Sequence, residues 1–304
     1  MSKKTLAHLL LLAVVAIWGA TFALVKAALA DASPLLFNLL RMLIATVALV
    51  LINHRQLAGL TRRIWLAGMV AGLLLAAGYQ FQTVGLAHTT SAKSALITGL
   101  VVVFVPLLTI VPALRPHGTA RPRWTTALGA AFAFLGLLLL TTPPGTTLAT
   151  VSSGIGAGDL LTLLCALSFA GHLLALAHLA PQIRAGQLAT LQIAFASAFM
   201  LITLPLAGPL YLHLSGRLVL ALAVTGLFAT AAAFTIQTWA QQHIPPTNTA
   251  ILLTLEPVFA LAVSMLLLGD RMSGRSVAGA ALILAGIATI ELLALPTPLP
   301  IEPA

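Results

Sequence analysis

The chain has 304 residues, of which 60% are hydrophobic and only 7% charged. Roughly a quarter of residues are charged in a soluble globular domain, so a water-facing surface of this size is excluded. A mean hydropathy of +1.08 excludes a disordered chain as well, and an all-α polytopic membrane protein remains.

Ten apolar runs follow one another, at approximately 6–28, 33–52, 64–86, 92–114, 124–142, 158–180, 187–207, 216–240, 247–269 and 274–295. A membrane-spanning helix needs about 20 such residues. Lys3 and Lys4 with Ala28, Leu29 and Ala30 imitate a signal peptide. However, the apolar stretch of about 22 residues is too long for an ordinary signal core, so the first helix is expected to be retained. Pro34 suits the first turn of the second helix. Trp65 and Trp124 stand at span starts, where an interfacial belt is expected. Pro143, Pro144 and Gly145 open the longest connection, and the tail from Pro296 is proline-rich. The expected organisation is a first five-helix repeat (1–145), an uncharged connection (146–157), a second five-helix repeat (158–295) and a disordered tail (296–304).

The net charge of +9 would suggest nucleic acid in a soluble chain. Here the basic residues lie between apolar runs and read as topology signals, so the lipid bilayer is the partner and nucleic acid is not. With the N-terminus inside, the inner loops carry Lys3, Lys4, Arg55, Arg62, Arg63, Arg115, Arg121, Arg123 and Arg184, and the outer loops carry Arg217, Arg271 and Arg275. The second half alone has the opposite bias. The first half decides, and both termini are expected in the cytoplasm of a cell with a bacterial-type inner membrane.

The halves repeat. Gln82, Thr83, His88 and Ala95 match Gln237, Thr238, His243 and Ala250 at an offset of 155. Gly129 and Gly136 match Gly279 and Gly286 at an offset of 150. Five spans per repeat is an odd number, so the halves must insert in opposite orientation. Inverted repeats place a substrate site near the midplane, where the halves meet.

Several elements in this order resemble a known family. They are Trp18, Gly19 and Phe22 in span one, Pro34 with Arg41 in span two, and 86–92 before span four. Glu256, Pro257 and Val258 followed by 269–271, and the last-span stretch 279–286, complete the set. His88 stands where tyrosine is common, and Asp270 where glutamate is. Together they resemble the drug/metabolite transporter superfamily, in its EamA-like branch, over roughly residues 5–295. The resemblance implies a ten-helix bundle that moves a small metabolite, amino-acid-like or drug-like, often outward. It implies no ATP-hydrolysing part, and the chain has no P-loop.

Polar groups inside apolar runs are expensive against lipid and face a cavity or a partner. This rule selects Trp18, Tyr79, Gln82, His172, Gln237 and Glu256 as candidates for the wall of a cavity facing spans one, three, four, six, eight and nine, with Arg41 in span two as a further substrate-binding candidate. The wider set of amides and aromatics also holds Gln80, Gln192, Trp239 and Gln241. Glu256 has two readings: a carboxylate that exchanges protons or binds a solute amine, or one half of a structural ion pair. Arg41 likewise either binds a solute carboxylate or neutralises Glu256. His172 is expected to be a neutral, hydrogen-bonded residue, with proton relay as the alternative. Pro257 withholds a backbone N–H and frees a carbonyl near Leu253. Gly68 and Gly72 permit close helix approach, within the bundle or at a dimer face.

Other functional classes find less support. Gly156, Gly158 and Asp159 resemble an intramembrane aspartyl protease element, but that chemistry needs two adjacent carboxylates and no second buried aspartate exists in a span. No enzyme activity, catalytic residue, cofactor or metal is expected. Cys165, the single cysteine, reads as a buried small residue. A channel or scaffold is the remaining alternative. It would need a continuous polar pore, and the intramembrane polar residues are sparse.

Overall fold

The structure is a computed structural model that describes residues 2–89, 94, 97–116, 123–141, 156–256, 258–259, 262 and 273–292. Most of the connection 146–157, Pro257, the 269–271 motif and the tail 296–304 lie outside the described residues. The described residues form an all-helical bundle of two inverted five-helix repeats. The first repeat contains α1 (Lys3–Ala28), α2 (Pro34–Asn53), α3 (Arg62–His88), α4 (Val101–Leu108) and α5 (Trp124–Thr141). The second contains α6 (Ala157–Leu179), α7 (Ala185–Thr203), α8 (Gly216–Ala240), α9 (Pro246–Leu253) and α10 (Gly274–Leu292). Six of these, α1 to α3 and α6 to α8, are long and apolar enough to cross a membrane as continuous helices. Pro34 sits in the first turn of α2, as its fixed φ predicts. Trp65 and Trp124 are exposed at the starts of α3 and α5.

Spans four and nine depart from the continuous helices expected at 92–114 and 247–269. Span four turns at Gly99 and Leu100 before α4, and span nine turns at Thr254 and Leu255 after α9. The two breaks are repeat mates, at the same offset of 155. Glycine is a poor helix former and accounts for the first. At the second, the Thr254 hydroxyl donates to the Ile251 carbonyl at 2.6 Å. The helix stops at Leu253, the carbonyl that a proline at 257 cannot serve. A further departure is a π-helical segment over Val224–Ala232 within α8, for which apolar periodicity carries no signal.

The halves are interleaved rather than placed side by side. α1 packs on α8 while α6 packs on α3; α2 packs on α7, α4 on α9 and α5 on α10. Exchange of the repeats turns the first two of these contacts into each other and leaves each of the last three as its own image. Lipid tails are as apolar as leucine, so burial does not drive helices together here, and close fit must. The glycines show how. A Cβ on Gly136 would lie 2.5 Å from the Gly279 carbonyl oxygen, and one on Gly286 would lie 2.6 Å from that of Gly129. These are the same four glycines that the repeat pairs, now packed crosswise. Gly68 and Gly72 face Leu191 and the Gln192 carbonyl of α7, so they serve the bundle interior.

At the end of the bundle where α1 turns into α2, the segment between α7 and α8 lies across the turn. Ser33 N–H donates to the Tyr211 carbonyl at 3.1 Å, and His213 N–H donates to the Asp31 carbonyl at 2.6 Å. Asp31 Oδ2 accepts from Ser215 Oγ at 2.7 Å and from Arg217 Nη2 at 2.8 Å. The Ser215 hydroxyl first, and then Arg217, hold the Asp31 carboxyl below its usual value of 3.8. A depressed carboxylate stabilises the fold above its ordinary pKa, and that contribution is lost as pH falls through the folded-state value. Asp31→Asn should therefore lower the melting temperature in detergent by a few degrees at most near neutral pH. The gap from wild type should close toward pH 3. A gap that stays constant down to acid pH would show that the carboxylate charge is not what matters.

Candidate functional site

All seven candidate residues line one cavity, together with Phe169, Phe234, Thr98, Gly99, Leu253 and Thr254. The cavity thus lies at the breaks in spans four and nine. Arg41 brings α2 into the wall, in addition to the six spans expected. Part of the cavity lining is a cluster of rings. Phe234 of α8 has Trp18 at 5.5 Å, Tyr79 at 5.9 Å and His172 at 5.8 Å between ring centroids. Tyr79 also meets Phe169 edge-on at 5.4 Å. Phe234 and Phe169 escape a search for polar groups in apolar runs because they are apolar themselves. Phe234 is nevertheless the repeat mate of Tyr79.

The π-helical segment of α8 anchors two of the candidates. Trp18 Nε1 donates to the Ala229 carbonyl at 2.7 Å. Arg41 Nη2 donates to Thr230 Oγ1 at 3.0 Å, and its guanidinium carbon lies 4.4 Å from the Tyr79 ring centroid. Arg41 is 4% exposed, so a buried cation rests on a neutral hydroxyl and an aromatic face. Glu256, half-buried at the break after α9, lines the same cavity. The expected alternative of an Arg41–Glu256 ion pair is not realised. The ion pair found among the described residues is Arg217–Asp31, and Glu256 has no side-chain partner among them.

Two hydrogen-bond chains are rooted on backbone carbonyls, which can only accept. In the first, Thr238 donates to the Phe234 carbonyl at 2.6 Å, and Gln192 Nε2 donates to Thr238 at 2.9 Å. Gln192 Oε1 then faces His172 Nε2 at 2.8 Å, which makes Nε2 the protonated ring nitrogen. His172 is thus the buried, hydrogen-bonded residue expected, and it still reaches the cavity through its ring. In the second chain, Gln241 Nε2 donates to the Leu173 carbonyl at 2.9 Å. That leaves Gln241 Oε1 to accept from Gln237 Nε2 at 3.5 Å. Gln237 Oε1 is buried and has no partner among the described residues. An unmade hydrogen bond of this kind costs about 1–3 kcal/mol. The first repeat carries a counterpart of the first chain: Thr83 donates to Asn38 Oδ1 at 3.1 Å, and Asn38 Nδ2 donates to the Tyr79 carbonyl at 3.0 Å.

Other polar residues of the apolar runs and their ends make contacts within or between helices. Gln80 donates to Thr203 at 2.7 Å, and Trp239 packs at a tilt against the His243 ring, 4.6 Å between centroids. Lys26 caps the end of α3 through the Leu86 carbonyl at 2.6 Å. Asp159, the protease-like aspartate, caps α6 by accepting from Gly156 N–H, and it accepts from Thr89 Oγ1 as well, both at 2.8 Å.

An interleaved inverted repeat with broken helices and a mixed-polarity cavity at its centre is the architecture of a membrane solute carrier. The chain belongs to the EamA-like transporter family, which matches it over residues 5–142 and 156–292. An uncharacterized transporter of Archaeoglobus fulgidus is 31% identical over 292 residues, covering 95% of this chain and 87% of that one. A protein solved by crystallography superposes with a TM-score of 0.76 at 19% identity, over 95% of this chain and 98% of its own. That likeness concerns the fold. The protein is a membrane transporter.

Proposed function

We propose that the protein is a secondary transporter that moves a small zwitterionic, amino-acid-like solute outward across a bacterial-type inner membrane, with both termini cytoplasmic. One observation carries the substrate class. A buried cation, Arg41, and a carboxylate, Glu256, share one cavity wall without pairing to each other. An uncompensated charge at bilayer depth is expensive. A solute carboxylate at Arg41 and a solute ammonium at Glu256 compensate both at once, and in the solute's absence a proton can serve the carboxylate. The size agrees. The cavity measures about 90 Å³, room for about three waters at roughly 30 Å³ each, which suits a small solute rather than a large drug. The outward direction follows the resemblance, and the orientation follows the loop charges.

The test is counterflow in proteoliposomes with labelled leucine, competed by 4-methylpentanoate, which lacks the ammonium, and by isopentylamine, which lacks the carboxylate. Leucine itself should compete, and each single-charge analogue should be at least about tenfold weaker, as expected when one charged hydrogen-bond partner is missing. Equal competition by either analogue would refute the zwitterion. Labelling of a cysteine placed after residue 300 from outside intact cells would refute the orientation.

A further inference from the structure

The polarity of the cavity is divided between the repeats. Arg41, the cation, belongs to the first. The second lines it with the Glu256 carboxylate, with Gln237, whose amide oxygen is buried without a partner among the described residues, and with His172, whose Nδ1 is an acceptor in the neutral ring. Nε2 is already committed as a donor to Gln192. The orientation of Gln237 is not free. Turning its amide over would set its oxygen against Gln241 Oε1, and Gln241 cannot turn in response without losing the Leu173 carbonyl. Gln82, the repeat mate of Gln237, has no such lock, because the position equivalent to Gln241 is Leu86. Two glutamines related by the repeat therefore differ. Gln82 can present either end of its amide, whereas Gln237 can present only an oxygen.

We infer that Gln237 Oε1 is a specificity-determining acceptor that reads an N–H of the solute's ammonium group, so the transporter selects a primary ammonium over its N-methylated forms. This rests on the zwitterion reading above. An ammonium carries three N–H donors on one charge. A trimethylammonium keeps the charge and has none, so the pair separates recognition of donors from recognition of charge. Gln241 is the positioning residue that holds the oxygen in place. The rings around the cavity offer the competing chemistry, because aromatic faces bind quaternary ammonium groups. Arg41 already covers the Tyr79 face, and Tyr79 meets Phe234 and Phe169 edge-on.

The experiment compares labelled leucine counterflow in proteoliposomes under competition by leucine, N-methylleucine and N,N,N-trimethylleucine. Wild type should rank them in that order, with the trimethyl form roughly ten- to a hundredfold weaker than leucine, the size of a lost hydrogen bond to a charged group. Gln237→Met, close in shape and without the amide, should weaken leucine and leave the trimethyl form unchanged, collapsing the ratio toward unity. Gln241→Leu, which unlocks the amide, should shrink the ratio without abolishing transport. A merely structural role for either residue would lower transport of all three solutes together and leave the ratio intact. The wild-type ranking needs no variant to fold. If wild type moves leucine but accepts the trimethyl form equally or better, the inference is overturned and the aromatic rings hold the cation. If wild type moves none of the three, the zwitterion reading itself has failed, and this inference fails with it.

Discussion

Glu256→Gln is expected to fold, to lose transport driven by an imposed pH gradient, and to keep a weaker exchange of solute for solute that no longer varies with pH. The structure favours this outcome because Glu256 carries no counter-cation among the described residues, while Arg41 is held by Thr230 and Tyr79. Removing the carboxylate charge therefore orphans no buried cation, the event that makes breaking a buried pair destabilise by about 3–5 kcal/mol. Glutamine keeps an acceptor oxygen for the solute but cannot release a proton. The drop in affinity should be on the order of tenfold, the scale of a charge-assisted bond reduced to a neutral one. Proteoliposomes with and without a pH gradient separate the two activities, and size-exclusion chromatography reports folding. Loss of folded protein would restore the structural-pair reading, and unchanged pH dependence would remove Glu256 from coupling altogether.

Gly136→Ala and Gly286→Ala should each destabilise the bundle by about 1–3 kcal/mol, the range of overpacking in a close-fitted interior. In both cases the obstacle is backbone, at 2.5 Å and 2.6 Å from the added Cβ, so no side chain can swing aside. The helices α5 and α10 must separate instead. Because one separation relieves both clashes, the double variant should cost less than the sum of the two. Gly274→Ala is the control, since a Cβ there meets nothing within 4 Å, and it should leave the melting temperature unchanged. Thermal unfolding in detergent measures the wild type and all four variants. Additive losses would show that the two glycines act in independent places, and a neutral Gly136→Ala would show that the seam is looser than described.

The seven candidates were legible because each is a polar or amphipathic group in an apolar run, and lipid tolerates such groups poorly. That rule states that a residue avoids lipid. It does not say which neighbour the residue meets, and this is where Arg41 and Glu256 remained ambiguous. Only the fold shows Thr230 under the guanidinium. Helices that are apolar all round carry no stripe to mark the buried face, so Phe169 and Phe234 could not be told from lipid-facing phenylalanines. The breaks were half visible. Pro257 announces a freed carbonyl near Leu253, whereas Gly99 looks like any other glycine of an apolar run until its mate at Thr254 is known to turn as well. The π-helical turn of α8, which positions Trp18 and Arg41, leaves no trace in composition or spacing.

The crosswise packing has a consequence for how the protein comes to exist. A chain is made from its N-terminus, so α1, α3 and α5 enter the bilayer before the helices they fit, α8, α6 and α10, have been synthesised. The newborn first half must therefore wait with its close-fitting faces against lipid, as a guest of the membrane rather than a folded unit. The glycine seam of α5 waits until its complement α10 has been made, five spans later. Closure of the bundle thus waits for α10, and a chain cut short before it leaves open a seam that the fifth helix brought in half a bundle earlier.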